Sequence, residues 1–137
     1  MKPETVEIRK LYEEEYIRLN AKYAFQKPEL QVTHYAGGSQ GLYYAHRNLV
    51  KINSISCLHY RGTIIHELCH AINALCFPVY RKNQKTGQKK LVRYAGHNPQ
   101  FWKLCYEFGL KPEEDYAHGE TGNMKRGREL YERSGGL

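Results

Sequence analysis

The middle of this sequence lacks acidic residues almost completely. Between Glu29 and Glu107 the only carboxylate is Glu67, whereas residues 30–106 carry ten lysines and arginines. This absence excludes any catalytic or metal-ligating scheme that needs a second carboxylate in the middle of the chain. The basic excess, within a net charge of +7, fits either a surface that binds polyanions such as nucleic acid or a plain solvated surface.

The sequence also lacks a long apolar run and closely spaced cysteines, and we expect no signal peptide. A bilayer span needs about 20 consecutive apolar residues, and the N-terminus turns acidic and amphipathic within its first residues. We therefore expect no membrane association and a cytoplasmic protein, or one associated with the nucleoid or nucleus. The cysteines show no CxxC spacing and are predicted to be reduced thiols, mostly packed as small apolar side chains. They are Cys57, Cys69, Cys76 and Cys105.

Hydrophobic periodicity predicts one small α+β domain, because 137 residues can bury a single core. Helices are predicted over residues 4–24 and 59–76, and from Asn98 as N-cap to Gly109 as C-cap. Short strands are predicted over residues 30–35, 41–45 and 49–53. Residues 79–95 form either a hairpin or a flexible basic loop. The predicted core spans residues 1–110, and residues 111–137 form a polar tail that is loosely ordered apart from a possible helix over 124–133.

The segment "HELCH" at residues 66–70 has the HExxH pattern. On a helix, His66 and His70 lie on one face at i and i+4, so both imidazoles can point at one ion. Glu67 adjoins them, where it can reach a metal-bound water without ligating the metal. An ordinary buried helix with polar residues is the alternative, and the pattern alone does not exclude it.

A catalytic zinc takes three protein ligands and leaves a fourth position for water. The metzincin pattern needs a glycine and a histidine shortly after the second histidine, and Asn73 and Cys76 stand there instead. A third ligand from a downstream glutamate is disfavoured, because no acid lies between Glu67 and Glu107. His97 remains as the third ligand, because it precedes a capped helix and follows Gly96, which lets the backbone approach closely.

The paired segments "HELCHA" at 66–71 and "GHNPQFW" at 96–102 resemble the SprT-like zinc metalloprotease domain, to which the Spartan-type proteases belong. Residues 36–54 are similar to the short strands that precede the metal helix in that family, and the resemblance covers roughly residues 5–110. It implies a zincin-like α+β fold, with a short antiparallel sheet packed with about three helices and HExxH on the central helix. It also implies Zn²⁺ held by His66, His70 and His97, with Glu67 as the catalytic base.

The resemblance implies a zinc-dependent endopeptidase acting on proteins at or crosslinked to DNA, as in the Spartan-type relatives. Many members carry a cysteine-rich zinc ribbon after the protease core, and the tail from Lys111 contains no cysteine. The basic segment could bind DNA in its place, with single strands favoured and tyrosines Tyr80 and Tyr94 stacking on bases. Its predicted DNA-binding residues are Arg81, Lys82, Lys85, Lys89, Lys90 and Arg93.

Two other functions share parts of this sequence pattern. A zinc hydrolase with a non-protein substrate would use the same ligands and the same base. A non-catalytic basic DNA-binding domain would not need Glu67, because a structural zinc site has no use for a general base. We expect the protein to act as a monomer on a protein substrate.

Overall fold

The chain folds into a small α+β domain, which confirms the predicted fold class at that level. The computed structural model describes residues 1–92, 96–110 and 122–133. The described helices are α1 (Pro3–Asn20), α2 (Tyr60–Cys76), α3 (Pro99–Glu107) and α4 (Gly122–Arg133). The described strands are β1 (Glu29–Thr33), β2 (Gly41–Tyr44), β3 (Leu49–Asn53), β4 (Val79–Lys82) and β5 (Lys89–Val92).

Helix α2 forms the centre of the core. Every residue from Thr63 to Ala74 is buried, so α2 is enclosed on all sides, including its polar residues. It contacts α1, α3 and strands β2 and β3. Ile64, Leu68 and Ile72 are fully buried, and burial of each such side chain stabilises the fold by roughly 1.5–3 kcal/mol.

Helix α1 buries one face, including Ile8, Tyr12 and Leu19, against this core. It ends at Asn20, a few residues before the predicted end. The side-chain oxygen of Asn20 accepts a hydrogen bond from the Phe25 amide at 2.9 Å, and the Tyr16 hydroxyl donates to the Phe25 carbonyl at 2.7 Å. These contacts turn the chain away from the helix axis before Lys27 and Pro28 are reached.

The sheet that packs on α2 is mixed, so the predicted antiparallel sheet is wrong in one of its two pairings. Strand β3 lies in the middle, antiparallel to β2 and parallel to β1. Residues 34–40 link β1 to β2, and this connection is long enough to pass the position that β3 later fills. Strand β2 then turns tightly into β3 through residues 45–48.

The basic segment after α2 forms a two-stranded antiparallel hairpin, β4–β5, rather than a flexible loop. The side-chain oxygen of Asn83 accepts the amides of Lys85 and Thr86 at 2.8 and 3.2 Å and shapes the turn. Of the predicted tail, α4 confirms the short helix and packs against α3. Residues 111–121 and 134–137 lie outside the described residues.

No helix among the described residues is long and apolar enough to cross a membrane. All four cysteines have free thiols, and only Cys76 is exposed. The prediction that the cysteines are mostly packed is therefore confirmed.

Candidate metal centre

Helix α2 carries His66, Glu67 and His70 inside the core. His66 and Glu67 have no exposed surface, and His70 is 2% exposed. Polar groups are rarely buried unless they bind a partner or an ion, because desolvation costs free energy. The helical spacing brings both imidazoles to the same face, as predicted, and their ring centroids lie 5.1 Å apart.

The start of α3 brings His97 to the same place. The Asn98 side chain caps α3 by accepting the Phe101 amide at 3.0 Å, which confirms the predicted N-cap. The same oxygen accepts a hydrogen bond from the Asn73 side chain of α2 at 3.1 Å. One asparagine therefore caps α3 and fixes the residue after His97 to the helix that carries the other two histidines.

The three histidines converge through their Nε2 atoms. The Nε2 atom of His97 lies 3.2 Å from that of His70 and 3.3 Å from that of His66. Two bonds of about 2.0–2.1 Å that meet at a tetrahedral metal place their nitrogens about 3.3 Å apart. The donor atoms of all three residues lie within 4.8 Å of one another. The predicted ligand set is confirmed as a group that could hold a metal ion.

Hydrogen bonds between the rings do not explain this arrangement well. A ring nitrogen of neutral histidine has either one proton or one lone pair. The Nε2 atom of His97 cannot therefore donate to one neighbour and accept from the other at the same time. A cation placed among the three nitrogens satisfies all three lone pairs at once, so the donor geometry fits a metal.

Phe101 forms a common wall behind the three imidazoles. Its ring centroid lies 4.1 Å from that of His70 in a stacked arrangement, and 4.9 and 5.0 Å from those of His66 and His97. The side chain is completely buried. Because all three rings pack on one rigid aromatic side chain, their rotamers are restricted before any metal binds.

Glu67 lies beneath strand β2. A Cβ atom added to Gly41 would lie 3.1 Å from both Cγ and Oε2 of Glu67 and 2.7 Å from Cγ2 of Thr63. Only glycine lets the strand approach the helix this closely. The carboxylate is thus held between α2 and the edge of the three-stranded sheet.

Sulfur does not contribute to the described ligand group. Cys69 is buried in the core, which confirms the prediction that it packs there. The Cys57 thiol donates to the Thr63 hydroxyl at 3.1 Å. Burial raises the pKa of Cys57, so the thiol stays protonated near neutral pH.

The described residues of the predicted DNA-binding set lie on the hairpin, between His70 and His97 in sequence, and are exposed to solvent. Arg81 faces Lys90, and Lys82 faces Lys89, across the two strands. Lys85 lies in the turn and is also exposed. Arg93 lies outside the described residues, as does Tyr94.

A cleft of about 640 Å³ separates β5 from the end of β2. Its walls include Tyr44 and His46 on one side and Lys90 and Leu91 on the other. The hairpin therefore lies beside β2, and the start of β2 lies over Glu67.

Sequence reasoning missed the residues that position the ligands. In the sequence, Asn73 stands out only because it occupies a position where the metzincin pattern has glycine. The tertiary contacts of Phe101 and Gly41 correspond to no local sequence pattern. A polar Asn73 one turn after His70, in a buried stretch of α2, was the available signal. Comparison of the chain with protein-family models, curated proteins and solved structures found no match.

Proposed function

We propose that the protein is a zinc-dependent endopeptidase. The observation that carries this proposal is the convergence of three histidine Nε2 atoms beside one buried glutamate. Three neutral nitrogen donors and no described sulfur donor suit zinc, and three protein ligands leave one coordination position open. A closed structural site would require a fourth protein ligand.

Zinc bound by His66, His70 and His97 would supply Lewis acidity, which polarises a carbonyl group and lowers the pKa of water. Glu67 then provides proton transfer. Its carboxylate accepts the proton that water loses as the water oxygen bonds to the peptide carbonyl carbon. It donates that proton to the amide nitrogen as the carbon–nitrogen bond breaks. Its burial removes competing water and strengthens its electrostatic interactions.

The edge of the sheet supports a peptide substrate over a small non-protein one. Strand β2 pairs with β3 on one side and with no other described strand on the other. An extended peptide can add to such an edge through main-chain hydrogen bonds. Gly41, at the start of β2, lies directly against Glu67, so a peptide on this edge would pass close to the proposed base.

The hairpin supports a nucleic-acid partner for the peptidase. Like charges directly opposite each other across strands are destabilising, yet Arg81 faces Lys90 and Lys82 faces Lys89 with no acid in the hairpin. A bound phosphate backbone would relieve this repulsion. Tyr80 is 69% exposed beside these residues and could stack on an unpaired base, which favours single-stranded DNA.

The direct test measures cleavage of casein by zinc-loaded and chelator-treated protein, with and without single-stranded DNA. We expect new peptide termini, identified by mass spectrometry, only with zinc, and faster cleavage when DNA is present. The Glu67→Gln variant excludes a contaminating protease, and Glu29→Gln serves as a control on an exposed glutamate. Zinc-loaded protein that leaves casein and other unfolded proteins intact would refute the endopeptidase assignment.

A further inference from the structure

Helix α4 touches the backbone of the third metal ligand. A Cβ atom added to Gly127 would overlap the carbonyl oxygen of His97 and lie 2.9 Å from its carbonyl carbon. Backbone atoms cannot rotate aside as a flexible side chain can. Any side chain at residue 127 must therefore displace either α4 or the segment that carries His97.

Aromatic contacts hold α4 in this position. The Arg128 guanidinium lies 5.9 Å from the Trp102 ring, and the Tyr131 ring lies 5.4 Å from that of Tyr106. The Trp102 ring in turn lies 6.0 Å from the ring of Tyr106 and 6.2 Å from the ring of His97. The contacts from α4 thus reach α3 and the metal ligand through one continuous set of rings.

The identity of residue 127 is unusual for the interior of a helix. Glycine lowers helix stability, and alanine is the best helix former. Residue 127 is buried, while Arg126 and Leu130 on the same helix are exposed. A role limited to helix formation would favour alanine, whereas close approach to the His97 carbonyl requires glycine.

His97 is the ligand most sensitive to such a displacement. His66 and His70 are fixed by the buried helix α2, whereas His97 lies before α3 and is partly exposed. Metal sites tolerate ligand distances within about 0.2 Å of their preferred values. A backbone shift of His97 would move its Nε2 atom out of that range.

We propose that Gly127 is a positioning residue, through which α4 sets the backbone of His97 for metal binding. The inference rests on the metal centre proposed above. Helix α4, which lies outside residues 1–110, thereby completes the proposed metal site. A single methyl group added at residue 127 would abolish the contact.

The test compares wild-type protein with Gly127→Ala in full-length form. Zinc affinity is measured by competition with a chromophoric chelator, and the site geometry is followed by the visible absorption of bound Co²⁺. We expect Gly127→Ala to bind zinc about 10–100-fold more weakly, as for other residues that orient a ligand. We also expect an altered Co²⁺ spectrum and little change in the thermal unfolding of the metal-free protein. Arg126→Ala, an exposed change on the same helix, should match wild type in every measurement.

A second variant covers the case in which Gly127→Ala does not fold. Tyr131→Ala removes the ring contact with Tyr106 without adding atoms, and it should also weaken zinc binding. Wild-type zinc affinity in Gly127→Ala, or in Tyr131→Ala if Gly127→Ala does not fold, would overturn the role of Gly127. Wild-type protein that binds no zinc would instead refute the metal centre and, with it, this inference.

Discussion

Glu67 is the residue on which the proposed chemistry depends. It is the only acid between Glu29 and Glu107, and it is fully buried next to a metal ligand. A buried carboxylate costs several kcal/mol in desolvation unless the site compensates for it. In the proposed site the three histidines are the metal ligands, so the role we propose for this acid is proton transfer.

Glu67→Gln should keep zinc and the fold while turnover falls by about 10²–10⁴-fold. Glutamine has nearly the same shape, but it cannot accept and return the proton. Zinc content by elemental analysis and initial rates on casein measure the two effects separately. Loss of zinc, or retention of full activity, would show that Glu67 does not act as the base.

At this scale the sequence predicted which histidines come together and not the residues that place them. HExxH spacing and the Asn98 cap follow from local helix geometry, so His66, His70 and His97 were identifiable before folding. The wall formed by Phe101 depends on how α3 packs against α2. No local periodicity encodes that tertiary contact.

Among the elements, the β4–β5 hairpin is defined by its charge. Its strands place two pairs of cations opposite each other, and each residue from Tyr80 to Leu91 is exposed. Phosphate contacts release counterions, so DNA affinity should fall steeply with salt. Each contact on a single strand contributes about 0.7 to the slope of log affinity against log salt.

Neutralising the hairpin should weaken DNA binding and flatten this salt dependence. We expect the slope to decrease in magnitude by about 0.7 for each lost contact when four hairpin cations become glutamine. The replaced residues are Arg81, Lys82, Lys89 and Lys90. A control with equal charge loss replaces Lys2, Arg9, Lys10 and Lys103, and it should keep the wild-type slope. If the hairpin variant keeps the wild-type DNA affinity and the wild-type salt slope, the hairpin has no role in DNA binding.

The turn that follows α1 is linked to the end of α3 by an ionic contact that should make stability depend on pH. Glu107 accepts a hydrogen bond from the Tyr23 hydroxyl at 2.6 Å and pairs with Lys22. Partial burial alone would raise the pKa of Glu107, but the hydrogen bonds from Lys22 and Tyr23 outweigh it and lower the pKa below 4.5. Burial, together with Glu107, raises the pKa of Tyr23 to about 12, so the phenol remains a donor.

Because the folded pKa of Glu107 is lowered, its stabilising contribution is complete above pH 4.5 and is lost as the pH falls through the folded value. Glu107→Gln should reduce the free energy of unfolding by about 0.5–1 kcal/mol at neutral pH, a small effect because Lys22 is largely solvated. Urea unfolding at several pH values measures it, with the exposed Glu132→Gln as control. A difference that persists undiminished in acid would contradict the assignment.

The elements themselves were largely predictable, whereas their pairing was not. Alternation and turn residues located β2 and β3, and the same signals suggested the hairpin. They do not specify which strand lies beside which, so the parallel pairing of β1 with β3 emerged only in the fold. Helix α4 was recognisable as a helix, but its polar sequence gave no sign that it packs against the segment of His97.

At the scale of the whole molecule, the metal centre joins parts of the chain that are distant in sequence. His66 and His70 belong to the central helix, and His97 follows the hairpin and precedes α3. A metal bound only by the folded arrangement shifts the folding equilibrium toward the native state. The proposed site should therefore contribute to global stability as well as to chemistry.

Zinc should raise the unfolding temperature, and chelation should reverse the effect. Free zinc at about 100 times the Kd stabilises the folded state by about 2.7 kcal/mol, or roughly 10 °C for a domain of this size. Differential scanning calorimetry of protein with zinc and with excess chelator measures the shift. His97→Ala should lose most of it because two histidines on one helix bind zinc far more weakly than three, while exposed His46→Ala should keep it. The proposed stabilisation requires the ion to join α2 to the start of α3. If His97→Ala shows the same zinc-dependent rise in unfolding temperature as wild type, zinc binds elsewhere.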